Sequence, residues 1–193
     1  MYELPTQIIL NDSAFTIRNK GDFRMVLDCF KAMQDIELSR QERALSALII
    51  FYEDLNGLED LEKLPDIELA YAEMVKFFNC GRDDAIGLKT NYRLIDWEED
   101  EAIVTSAINK VAGKEIRWEP YIHWWTFMGY YMAVNESVLS TVISIRHKIA
   151  VGKKLEKHES EFRRQNPQYF LLDMRTIDAK EEEVEVRNLW NSN

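Results

Sequence analysis

The feature that most limits what this chain can fold into is residues 120–152, PYIHWWTFMGYYMAVNESVLSTVISIRHKIAVG. Tyr121, Trp124, Trp125, Phe127, Tyr130 and Tyr131 crowd its first part, and almost every position from 121 to 134 is apolar or aromatic. Pro120 suits the first position of a helix, where its missing N–H would have had no partner. A helix apolar all round is buried on every side, or shared between a core and a partner. At about fifteen residues this one is too short to span a bilayer, which needs roughly 20. The expectation is a mainly α-helical fold around a central aromatic-rich helix. Gly129 inside that helix costs about 1 kcal/mol against alanine. Close approach by another helix, or a packing kink, would account for it.

The rest of the chain carries helix signals in series. Residues 7–10 and 15–18 are short β-type runs separated by Asn11, Asp12 and Ser13, which predicts a small N-terminal β-hairpin. An isolated hairpin is marginal in water, so it must pack on the helices or on another copy. Gly21 and Asp22 open a helix with Phe23, Val26, Leu27, Phe30 and Met33 as its apolar stripe. Ser39 and Glu42 make a capping box ahead of the next helix. Pro65 and Asp66 start another, and Asp96 with Glu99 reads as a second capping box. Glu98, Glu99, Asp100 and Glu101 lie where carboxylates meet the positive end of the helix dipole. Asn135-Glu136-Ser137 breaks the chain before a further helix, and Gly152 ends that one. We expect one helical domain over residues 1–165, with a possible subdomain junction at 81–93. Residues 166–193 are expected to form a C-terminal arm, mobile or frayed. It carries Tyr169, Phe170 and Trp190 as apolar points and an acidic run at Glu181, Glu182 and Glu183.

Charge and cysteine content narrow the function. A net charge of −10 argues against a general binder of nucleic acid or anionic membrane. The N-terminus shows no basic start followed by a long apolar run, so an export signal is not expected. Cys29 and Cys80 fall on the apolar sides of predicted helices and read as buried thiols rather than a disulfide. The one basic region runs from 146 to 164. Arg146, Lys148, Lys153, Lys154 and Lys157 could meet phosphates, the acidic surface of a neighbouring copy, or solvent alone. A protein partner is favoured over nucleic acid.

No constellation points to catalysis. Asp96, Glu99 and Asp100 could reach one ion, but hard-cation sites draw on more than one element, and capping already explains these residues. His123 could be a base or a metal ligand. No H-x-x-x-H or H-E-x-x-H accompanies it, and no serine or cysteine is placed as a nucleophile. A hydrogen-bonded core histidine is the simpler reading. Residues 151–154, Val-Gly-Lys-Lys, lack both the earlier glycine and the hydroxyl of a phosphate loop. No enzymatic activity, metal or cofactor is expected.

One set of motifs carries more. Asp96-Trp97 with Asp100, Asn109-Lys110, Gly113-Lys114-Glu115, His123-Trp124-Trp125-Thr126-Phe127 and Ser144-Ile145-Arg146 resembles the bacteriophage "gene product fifteen" family of tailed phages and prophages of Gram-positive bacteria. The likeness extends from the hairpin through Lys154-Leu155 and leaves out the C-terminal arm. It implies a tail assembly chaperone, encoded beside the tape-measure protein, that holds that protein or tail-tube subunits in the host cytoplasm. The short unsupported hairpin, the basic helix and the acidic, apolar-tipped tail add the expectation of a homo-oligomer. The alternatives are a structural tail subunit kept in the virion and, more remotely, a nucleic-acid-associated phage protein. The family assigns no catalytic role to its signature residues. Trp97, His123, Trp124, Trp125 and Phe127 are expected to build the core.

Overall fold

Asn11 and Asp12 both take left-handed backbone conformations, with φ of 46° and 67°. That geometry makes a two-residue turn whose twist matches the strands it joins. It connects β1 (Gln7–Leu10) to β2 (Ser13–Thr16) in an antiparallel pair with Leu10 opposite Ser13 and Gln7 opposite Thr16. In this computed structural model residues 3–83 and 92–174 are described. The chain is mainly α-helical with a small N-terminal two-stranded antiparallel sheet, as the sequence leads one to expect. It divides into two units, taken in turn below: Met1–Gly87 with Arg117–Met132, and Leu88–Ile116 with Ala133–Asn193. The junction expected at 81–93 lies largely outside the described residues.

In the first unit the hairpin packs on helices. Ile8 and Leu10 are buried while Gln7 and Ile9 face outward, and Ile17 bridges Tyr52 just beyond β2. Helices α1 (Phe23–Met33), α2 (Arg40–Phe51), α3 (Ile67–Phe78) and α5 (Trp124–Met132) supply the remaining core. The Ser39–Glu42 capping box forms in both directions at the start of α2, and Asp66 caps α3 by accepting from the Leu69 N–H. The last carbonyls of α2 have no intrahelical donors. Arg18 serves two of them, donating to the Ile49 and Ile50 oxygens, and also donates to the Tyr52 and Leu55 oxygens just beyond the helix. A cation there also suits the negative end of the helix dipole.

Two expectations about the aromatic helix are corrected. It begins at Trp124, not at Pro120, because the preceding backbone is committed elsewhere. Ile122 N–H donates to the Asp22 carboxylate at 2.9 Å, and Phe23 N–H donates to the Ile122 carbonyl at 2.9 Å. Nor is α5 buried all round. Trp124 and Phe127 are inside, Met132 is 58% exposed, and a Cβ on exposed Gly129 would meet nothing within 4 Å. Among the described residues nothing packs closely on that glycine.

The tight approach belongs to another glycine. Gly21 has φ +79°, and a Cβ there would lie 2.8 Å from the Phe77 ring and 3.1 Å from His123 Nε2. Both conformation and space therefore require glycine at this position. Asn19 and Lys20 before it are also left-handed.

The second unit holds α4 (Glu101–Ala112), α6 (Val138–Ala150) and α7 (Lys157–Gln165). Gly113, at φ +68°, ends α4 in the left-handed conformation. Ser137 and Ser140 cap the start of α6 reciprocally, and Glu156 with Glu159 does the same for α7. Residues 166–174 differ from expectation. They do not form the base of an arm: a 3-10 turn over Pro167–Phe170 sets Phe170 edge-on to Phe162 at 6.4 Å, and Leu172 is buried. The rest of the expected arm, with Trp190, lies outside the described residues.

Candidate interaction surface

The placement of the motif residues decides what remains for function. His123 is 1% exposed and is the last residue before α5. Its Nδ1 accepts from the Trp125 N–H at 3.0 Å, and its Nε2 lies 3.0 Å from the Pro5 carbonyl. The two bonds require the neutral tautomer with the proton on Nε2. His123 is thus a side-chain cap for α5 and a tether for the segment leading into β1. Trp124 and Trp125 turn their indole N–H groups onto the end of α3, donating to the Phe78 carbonyl at 2.8 Å and the Phe77 carbonyl at 2.9 Å. Phe127 stacks on Phe23 with ring centres 4.5 Å apart.

Burial holds the His123 imidazole below its usual pKa, against the opposing pull of the Pro5 carbonyl and of Asp22. The sign for stability follows from which state takes up the proton. Below about pH 6.5 the unfolded chain protonates this histidine while the folded chain resists, so stability falls as pH drops from there toward the lowered folded value. Protonating Nδ1 also removes the acceptor for Trp125 N–H. The melting temperature should therefore decline between pH 7 and pH 5, and decline less steeply in His123→Gln. Equal slopes in thermal melts of the two proteins would refute this.

In the second unit, Asp100 and Arg146 are 3% and 2% exposed and form a two-pronged ion pair, with contacts of 2.5 and 2.9 Å. Arg146 also donates to the Leu94 carbonyl at 2.9 Å and twice to the Tyr169 carbonyl, at 2.9 and 2.7 Å. One guanidinium therefore gathers α4, α6, the segment before α4 and the turn after α7. Asp96 accepts from the N–H groups of Glu98 and Glu99, both at 2.8 Å, and its own N–H donates to Asp100 at 3.0 Å. The reciprocal partner of Asp96 is thus Asp100, not Glu99, and α4 itself starts one turn later than expected. Asn109 closes the next motif. Its amide donates to Glu115 at 2.8 Å and its carbonyl oxygen accepts from the Ile116 N–H at 2.9 Å, bracing the turn that Gly113 opens.

The model of one protein family, described as bacteriophage Gp15 protein, matches residues 2–171. The chain belongs to this bacteriophage Gp15 family. Comparison with curated proteins and with solved structures gives no match. The resemblance noted in the motifs is thereby established, and the geometry gives those motifs a physical meaning. In this Gp15 family member, Asp96, Asp100, Asn109, Gly113, His123, Trp124, Trp125 and Arg146 close helix ends, turns and buried polar groups. Trp97 is half-buried.

This placement corrects one interaction residue. Arg146 is enclosed in its own unit and has no face for a partner. Lys148 is partly engaged, donating to Glu159 at 2.6 Å with Glu156 at 3.8 Å. That bond raises the Lys148 pKa and lowers that of Glu159, chiefly through the shared hydrogen bond. Lys153, Lys154 and Lys157 are exposed, and Tyr169 and Phe170 are half-buried.

Sequence reasoning missed the most exposed large apolar side chain described, Trp118, at 87%. Leu171 follows at 80% and Ile36 at 75%. Trp118 stands apart from any amphipathic stripe, and an aromatic in a short connector gives no periodic signal. Among the described residues no group of three or more histidine, cysteine or acidic side chains could hold a metal ion, and no helix is long and apolar enough to cross a membrane. Cys29 is buried and Cys80 half-buried, both free.

Proposed function

We propose that this protein is a non-enzymatic tail assembly chaperone that binds the tape-measure protein, tail-tube subunits or both in the host cytoplasm and works as a homo-oligomer. The observation that carries the reading is the placement of the Gp15-family motifs. His123, Asp100 and Arg146, which could have served as a base, an ion ligand and a phosphate contact, are engaged in internal hydrogen bonds, whereas large apolar side chains such as Trp118 and Leu171 stand in solvent. Single apolar residues on a surface are ordinary, but an almost fully exposed tryptophan suits an interface, where tryptophan is enriched among the energetically dominant contacts.

The test is recovery of partners from phage-infected cells with tagged protein, identified by mass spectrometry. Tape-measure or tail-tube protein should be the main phage product recovered. Recovery of replication or packaging proteins in their place, or of no phage protein, would refute the proposal.

A further inference from the structure

The most exposed aromatic of the described chain sits on a backbone that is held from both sides. Arg24 donates to the Glu119 carbonyl at 2.8 Å and to the Arg117 carbonyl at 3.4 Å, the residues flanking Trp118. Arg24 is itself fixed by two 3.1 Å bonds to the Asp22 carboxylate and lies over the Phe23 ring, 4.5 Å from its centre. Three residues on, Tyr121 is 43% exposed and its hydroxyl donates to the Lys20 carbonyl at 3.0 Å. The backbone that carries Trp118 is therefore held before any partner arrives, which lowers the ordering cost on that side of a contact.

Bonds or sequence join three cations to the segment, Lys20, Arg24 and Arg117, and two carboxylates, Asp22 and Glu119. Asp22 is buried and paired with Arg24, so the balance is a small positive excess. In a chain of net charge −10 this is an unusual surface. What it fits is apolar and acidic. The 19 residues after Met174 include such a stretch: Asp178, Glu181, Glu182, Glu183 and Glu185 against Lys180 and Arg187, with Val184 and Val186 among them and Leu189-Trp190 following. Fully extended, they could reach at most about 65 Å.

We propose that the segment bearing Trp118 and Tyr121 is a docking site for residues 178–190 of a second copy of this chain. The contact is head-to-tail, so it propagates into rings or open filaments unless capped. This rests on the self-association in the functional reading but not on its client, and the two fail separately: client recovery from infected cells does not read this contact.

Analytical ultracentrifugation of full-length chains across a concentration series tests it. Wild type should associate. Trp118→Ala should raise the dissociation constant at least about tenfold, with an unchanged thermal melt. A tail variant with Glu181, Glu182, Glu183 and Glu185 all changed to Lys should do the same. Mixing the two variants should restore a 1:1 pair that grows no further, because each brings the half the other lacks. Wild-type protein that stays monomeric, either variant associating like wild type, or a mixture that does not pair would overturn the proposal. So would loss of association on changing Lys153, Lys154 and Lys157 to Glu, since that would move the acidic segment to the basic helix.

Discussion

Trp124→Ala is expected to cost about 3–5 kcal/mol of folding stability. The indole is 1% exposed, lies against Phe127 with centres 5.6 Å apart, and meets Phe30 edge-on at 5.7 Å. Truncation opens a cavity among these rings and leaves the Phe78 carbonyl without its indole donor at the end of α3. Against a total stability of roughly 5–15 kcal/mol for an ordinary domain, that loss is enough to unfold much of the protein at growth temperature. Trp124→Phe keeps most of the ring and loses the N–H, so it should cost less. Trp125→Ala should also cost less, because that ring is only half-buried. Denaturant melts of the three variants check the order. A Trp124→Ala protein that melts like the parent would remove this tryptophan from the core.

Arg146→Ala should be comparably damaging, by about 3–5 kcal/mol, because it strands the Asp100 carboxylate in the interior. It also leaves the Leu94 and Tyr169 carbonyls without their donor. Arg146→Lys should rescue little: an ammonium cannot span the two carboxylate oxygens and two separate carbonyls as the planar fork does. Replacing both partners by apolar residues, Asp100→Leu with Arg146→Met, should cost much less than the sum of the single changes, since no buried charge is then left alone. Additive losses in the four-protein cycle would mean that the pair is not coupled.

How far these features could be read in advance depended on their range. The hairpin, the Ser39–Glu42 box and the break before α6 are local signals, and all three appear, although the second strand begins at Ser13, two residues earlier than expected, because Asn11 and Asp12 alone make the turn. The start of α5 was misplaced by four residues because a long-range contact overrode a local one: Asp22, 100 residues away in sequence, takes the Ile122 N–H. The central role of Arg146 was misread for a related reason. A basic residue in a basic stretch looks solvated. Yet it follows Leu139, Val142 and Ile145 on the buried face of α6, and a charge at such a position needs a buried counterion. The helical spacing was visible; the identity of Asp100 as the counterion, 46 residues away, was not. His123 was legible as a core residue because its neighbours are aromatic, although its bond to Pro5 could not be foreseen. Trp118 escaped notice because exposure in a connector leaves no pattern in the sequence.

The division of labour proposed here, motifs inside for the scaffold and assembly contacts outside, is tested most directly by following the protein through tail formation. Quantitative mass spectrometry of tail precursors and of washed, finished particles from one infection makes the comparison. A chaperone should accompany tape-measure or tube protein in the precursors and be absent from the particles. Its presence in many copies in finished particles would contradict the account and make it a structural subunit of the tail.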